Sequence, residues 1–216
     1  MKTLTKTMSK YLFLLSIISL SLNAQAGAYE DMLRAISMGH NAEVATLLKK
    51  GVDVDSVNKD GESLLMLAAK EGNISVVKTL LAAKPKIMAR NALGETALML
   101  ASIKGHLEVA KLLQAEGAVI DHPGWTPLIY ATSTGRMEIM RFLISKGAKV
   151  DAAGENGMTA LTMAATEGQT QALLLLMQHG ANVNHQAANG NTPLKVAKQR
   201  GNDEIARMLV SAGAKQ

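Results

Sequence analysis

The sequence predicts an all-α repeat solenoid of six stacked units, each a pair of short helices, with β-hairpin fingers joining one pair to the next. Phased glycines predict it first. Gly39, Gly72, Gly105, Gly135, Gly168 and Gly201 are separated by 33, 33, 30, 33 and 33 residues. Gly61, Gly94, Gly124, Gly157 and Gly190 repeat the pattern, as do Gly51, Gly117, Gly147, Gly180 and Gly213, with Lys84 on the missing rung. A fixed period near 33 residues signals supersecondary units stacked in one direction. Composition agrees, because 48% of the 216 residues are hydrophobic but only 3% aromatic, which demands an aliphatic core.

The first element is not part of the stack. Lys2, Lys6 and Lys10 precede the apolar run Tyr11 to Leu22, and Ala24-Gln25-Ala26 follows. A positive start, a short apolar stretch and a small-x-small site describe a secretory signal peptide over residues 1–26. As a helix the run reaches about 18 Å, short of the ~30 Å hydrocarbon core, which disfavours an uncleaved anchor. Removing 26 of the 216 residues leaves 190, and losing three lysines takes the formal charge from +5 to +2. So small a charge argues against nucleic acid or an anionic membrane as partner. The chain has no cysteine, which excludes disulfides, thiolate metal sites and a lipid-modified N-terminal cysteine. A periplasmic location follows, with release outside the cell as the alternative.

The repeat domain, residues 27–216, divides into units near 28–57, 58–90, 91–120, 121–153, 154–186 and 187–216. Thr96-Ala97-Leu98, Thr126-Pro127-Leu128, Thr159-Ala160-Leu161 and Thr192-Pro193-Leu194 each open a first helix. The threonine hydroxyl can accept from a freed N–H, a cap worth about 1 kcal/mol. Proline beside it occupies the helical position where a missing N–H costs nothing. The first glycine ladder ends that helix, and a second follows, as in Leu107 to Glu116 with Val109, Leu112 and Leu113 on one face. Helices of eight to ten residues fall below the roughly 12–15 needed for stability in water, so they must bury their apolar faces against neighbours. The terminal units carry polar residues on their opening helices (Glu30, Asp31 and Arg34; Lys195, Lys198 and Arg200), as an open-ended stack requires.

Gly-x-Thr-Pro-Leu at 124–128 and 190–194, Leu67-Ala68-Ala69, Gly-His at 39–40 and 105–106, and Leu-Leu-x-x-x-Gly-Ala at 112–118 closely resemble the ankyrin repeat family. The resemblance covers about residues 28–216. The histidine that usually follows Thr-Pro-Leu is replaced by Met66, Met99, Ile129, Thr162 and Lys195, and Lys84-Pro85 replaces Gly-Ala. In this family a concave surface of fingers and opening helices contacts protein partners. The resemblance therefore implies a non-enzymatic protein-binding module, a monomer when free, with no cofactor. Small secreted bacterial members imply a role in oxidative-stress protection, or as immunity proteins that plug a toxin's active site. A stabilising subunit of an envelope complex is a further alternative.

The sequence offers no reactive centre. His-Glu-x-x-His, Gly-x-Ser-x-Gly, phosphate-loop and calcium-loop motifs are missing. His40 and His106 share one repeat position and read as structural. His122 and His185 lie two units apart, about 16–20 Å at ordinary helix spacing, too far to share a metal. Met99, Met140, Met163 and Met177 fall on apolar helix positions and read as core filler, leaving Met158 as the exposed methionine.

Position in the repeat marks Glu62, Glu95, His122, Trp125, Met158, Ile103 and Lys104 as the partner-facing set. Trp125 is the sole tryptophan, at a position occupied by Glu62, Glu95 and Asn191 in other units, and its finger is three residues short. Flanked by Ile103 and Met158, it would form a central apolar anchor, the role tryptophan often plays in interfaces. Alternatively it folds over Pro123 and fills the space left by the shortened finger.

Overall fold

The computed structural model describes residues 27–215, so the proposed signal segment lies outside the described residues. An opening helix α1 occupies 27–38. The chain then runs through α2 (Asn41–Lys49), α3 (Leu64–Glu71), α4 (Ile74–Ala82), α5 (Ala97–Lys104), α6 (Leu107–Ala115), α7 (Pro127–Ser133), α8 (Met137–Ser145), α9 (Ala160–Glu167), α10 (Thr170–Gln178), α11 (Pro193–Gln199) and α12 (Asp203–Ser211). From α2 onward each helix has only seven to nine residues. Opening helices pack on opening helices, closing helices on closing helices, and each helix on its own partner. The result is a one-dimensional stack, an all-helical repeat solenoid.

Local chemistry sets the helix starts. The hydroxyls of Ser63, Thr96, Thr126, Thr159 and Thr192 accept the backbone N–H three residues on at 3.2–3.4 Å. Pro127 and Pro193 stand at the first helical position. Where family members carry histidine, the sulfurs of Met66 and Met99 reach back to the N–H groups of Ser63 and Thr96 at 3.4 and 3.2 Å, while Thr162 pairs its hydroxyl with Thr159. Methionine thus closes two of the five caps as a weak acceptor.

Sixteen glycines, those of the three ladders, adopt positive φ, and so does one other residue, Lys84 at φ 57°. Lys84 holds the missing rung of the third ladder. A side chain there crowds its own carbonyl in a way glycine does not.

The buried residues form two contiguous clusters, one from Met32 to Ala118 and one from Leu128 to Leu209. Ile120 and Phe142 pack against both and join them at the shortened finger. Met99 and Met140 are buried and Met177 partly so, as core positions should be.

Polar rungs run along the stack beside this core. Asp55, Asp121, Asp151 and Asn184 accept the backbone N–H groups of Lys86, Lys149, Asn182 and Lys215 at 2.8, 2.9, 2.9 and 2.7 Å. At the equivalent position Met88 offers its sulfur to the N–H of Val119 at 3.4 Å. A second series caps the opening helices from the next unit. His106 Nε2 donates to the Lys70 carbonyl, Arg136 Nε to Ile103 and Asn202 Nδ2 to Ala165, at 3.1, 3.3 and 2.8 Å. His106 is structural, as its repeat position suggests. Its equivalent His40 faces Glu43 at 3.4 Å instead.

The fingers contain no strand among the described residues. Pairing is short: single antiparallel bridges join Val57 with Ser63 and Ala153 with Thr159, and the N–H groups of Asn58, Asn91, Gly154 and Ala187 donate across their turns to the carbonyls of Glu62, Glu95, Met158 and Asn191 at 2.9–3.1 Å. Asparagine side chains reinforce the turns: Asn58 Oδ1 accepts from the N–H groups of Asp60 and Glu62, and Asn91 Oδ1 from those of Leu93 and Glu95.

Replacing Lys84 with glycine relieves the left-handed strain but loosens the unfolded chain, for a net gain of roughly 0.5–1 kcal/mol. Urea unfolding of Lys84→Gly should move to higher midpoint; an unchanged or lower midpoint would contradict the assignment.

Candidate functional site

Fingers and opening helices share one flank of the stack, and a groove on it lies at the shortened fourth finger. The three missing residues fall between Asp121 and Gly124, where other units have six positions after the rung residue. Backbone bonds tie finger two to finger three (Ala92 N–H to Asp60 carbonyl, 3.2 Å) and finger five to finger six (Ala188 N–H to Asn156 carbonyl, 3.1 Å). No such bond joins the fourth finger to either neighbour among the described residues. Trp125 takes over that junction.

Its indole is half-buried, 5.5 Å from the Tyr130 ring at a 54° tilt. The same ring lies over Gly154 of the next finger so closely that a Cβ there would meet two indole atoms at 2.8 Å. Gly154 does not have positive φ, so the need for glycine at this point is steric. Of the two alternatives for Trp125, the gap-filling one describes its inner face, although the ring rests on Gly154 and Tyr130. Its outer face borders a groove of about 330 Å³. The third finger supplies Arg90 and Leu93, the fourth His122 and Pro123, and the fifth Glu155, with Met99 and Tyr130 from the opening helices.

Tyr130 is held protonated. Burial raises its pKa, and the charge and hydrogen bonding of Glu95 push further in that direction. The Glu95 carboxylate also takes a 2.7 Å hydrogen bond from Asn91 Nδ2. His122 donates from Nδ1 to the Pro123 carbonyl at 3.0 Å, and its buried Nε2 has no hydrogen-bond partner.

The other partner-facing candidates disperse. Glu62 is only 8% exposed, with its carboxylate 3.0 Å from Lys70 and 2.9 Å from Asn58 Nδ2. Burial disfavours its charge, but those hydrogen bonds and the Lys70 charge outweigh burial and hold its pKa below the ordinary carboxylate value. Ile103 is half-buried at the end of α5, where its carbonyl accepts from Thr134 and Arg136; Lys104 beside it is exposed. Neither lines the groove. Met158 is half-buried, a correction to its assignment as the exposed methionine, because it packs against the core beside a recess of about 170 Å³ that it lines with Thr162, Ala187 and Val196. Among the described residues the exposed methionines are Met38 and Met88.

Tyr130, Arg90 and Gly154 were not singled out from the sequence. Tyr130 has a periodic signal, since it occupies the position held by Leu67, Leu100, Met163 and Val196 in other units. Among the described residues no group of three His, Asp or Glu is placed to hold a metal ion, and no helix is long and apolar enough to cross a membrane. His185 Nε2 donates to the Gly157 carbonyl at 2.9 Å, away from His122.

A stack of capped helix pairs with a finger-lined groove defines a repeat protein of the recognition type. The family profile Ankyrin repeats (3 copies) matches residues 32–123, 65–154, 118–187 and 151–216, and the chain belongs to that family. The human ASB11 ankyrin repeat domain superposes with a TM-score of 0.78 and 26% identity, covering 85% of this chain and 84% of that one. A chain from the complex of Bd0816, a predatory endopeptidase of Bdellovibrio bacteriovorus, with the immunity protein Bd3460 superposes with a TM-score of 0.74 and 29% identity. It covers 84% of this chain and 97% of that one. No curated protein matches by sequence. The chain is thus an ankyrin-repeat protein-binding module.

Gly154→Ala should push the indole off its seat without backbone strain. Tryptophan emission should shift to the red with a loss of about 1–2 kcal/mol in stability from the ring contact given up. Unchanged emission would mean Trp125 does not rest on Gly154.

Proposed function

We propose that this chain is a non-enzymatic inhibitor of a single envelope-acting hydrolase, an immunity protein that works in the periplasm after removal of residues 1–26. The observation that carries the reading is the similarity, over 84% of this chain, to a chain of an endopeptidase–immunity protein complex. The groove at the fourth finger supports it. Trp125 and Tyr130 offer aromatic surface already held in place, so little side-chain entropy is lost on binding. Leu93 projects at its rim with 81% of its surface exposed, and Arg90 and Glu155 set opposite charges at its ends. Glu95 organises Tyr130, while Ile103, Lys104 and Met158 extend the contact zone to either side.

Affinity capture from the periplasmic fraction with the exported chain should recover one hydrolase at fixed stoichiometry, inhibited with a Kd in the nanomolar range or below. Leu93→Asp should weaken inhibition at least tenfold with unchanged stability, because that side chain touches little of its own protein. A captured enzyme that keeps full activity would overturn the reading. Peroxide sensitivity on gene loss, with no hydrolase captured, would favour the oxidative-stress role instead, and stoichiometric capture of a non-enzymatic envelope assembly would favour a stabilising subunit.

A further inference from the structure

One rung of the axial series differs in chemistry from the other four. Asp55, Asp121, Asp151 and Asn184 present oxygen to a backbone N–H of the following unit at 2.7–2.9 Å, whereas Met88 presents sulfur to Val119 at 3.4 Å. A thioether is a poor acceptor, so this junction is held less firmly than its equivalents. Three methionine sulfurs in the structure accept a backbone N–H, those of Met66, Met88 and Met99. Met66 and Met99 are each 1% exposed, while Met88 is 37% exposed. Only the last can be reached by a small polar oxidant without unfolding.

We propose that Met88 is an oxidation site at which a peroxide turns the weak sulfur rung into an oxygen rung. The thioether lone pair attacks one peroxide oxygen, and the S–O bond forms as the O–O bond breaks. The departing hydroxide takes the proton from the hydroxyl now on sulfur and leaves as water, so the sulfur is left as the sulfoxide. Sulfur loses two electrons and the peroxide gains them. The new oxygen sits on the atom that already faces the Val119 N–H, and a sulfoxide oxygen is a strong acceptor. Oxidation at Met66 or Met99 would instead place a polar group in the core. At Met88 it completes a pattern that the other four units build from aspartate and asparagine.

The same rung stands at the base of the third finger, which carries Arg90 and Leu93 into the groove, and Val119 leads into the fourth finger. Tightening it would therefore stiffen one wall of that groove.

The test is graded hydrogen peroxide treatment of the folded chain, read by peptide mass mapping and by hydrogen exchange at Val119. Met88 should oxidise in the first class together with Met38, which is 63% exposed, and Met66 and Met99 only after denaturant is added. In a Met38→Leu background, oxidation should slow Val119 exchange roughly fivefold, the effect of one better hydrogen bond. Met88→Asp should slow it similarly without oxidant, and Met88→Leu should abolish the response to peroxide. Oxidation of Met88 no faster than Met66 and Met99 would overturn the proposal. So would faster or unchanged Val119 exchange in the Met88 sulfoxide.

Discussion

The backbone N–H of Lys86, Lys149, Asn182 and Lys215 finds its acceptor on a side chain of the preceding unit, 28 or 31 residues back. Helices of seven to nine residues cannot persist alone, so each unit exists only while its neighbours supply an apolar face and these polar rungs. Burial provides most of the free energy but little direction. The rungs fix the offset at which one pair sits on the next, and with it the spacing of every finger. The capping bonds from His106, Arg136 and Asn202 act in the same sense on the opposite ends of the opening helices. Two independent sets of bonds therefore define one register.

The fourth unit shows what happens where this regularity is interrupted. Shortening the tip by three residues leaves the fourth finger without a backbone bond to either neighbour among the described residues, and Ile120 and Phe142 pack at the same level against the apolar residues on both sides. Ile120 and Phe142 bridge the core, while Trp125 bridges the fingers by lying on Gly154. The shorter finger also opens the groove that Trp125 and Tyr130 border. The rearranged finger junction and the concave aromatic surface thus have one cause. That coupling is the physical basis for proposing recognition at the fourth finger.

Much of the architecture was legible because glycine and threonine report backbone geometry directly. The phased glycines mark left-handed turns, and the sixteen at positive φ are the ladder residues, with Lys84 on the rung where glycine is missing. Threonine before an aliphatic pair marks the caps. The polar rungs were also in the sequence: Asp55, Met88, Asp121, Asp151 and Asn184 follow the 33, 33, 30, 33 spacing. They escaped notice because aspartate, methionine and asparagine share no side-chain class, only an acceptor atom. The seat of Trp125 was less accessible still. It depends on a missing Cβ in the following unit, and neither residue carries a local signal of the other. Met158 illustrates the reverse error, since a finger position reads as exposed until the recess against Ala187 and Val196 is seen. The fingers read as hairpins from their turn glycines, and they close as short hairpins whose tips are further held by asparagine side chains.

Native-state hydrogen exchange at the amides of Lys86, Lys149, Asn182 and Lys215 addresses the register directly. These residues lie outside helices, on exposed backbone that would otherwise exchange freely. Protection comparable to that of the closing-helix amides on either side is the result expected if inter-unit rungs hold the stack. Exchange at the rate of an unstructured chain, in a protein whose helices remain protected, would mean that burial alone sets how the units sit on one another.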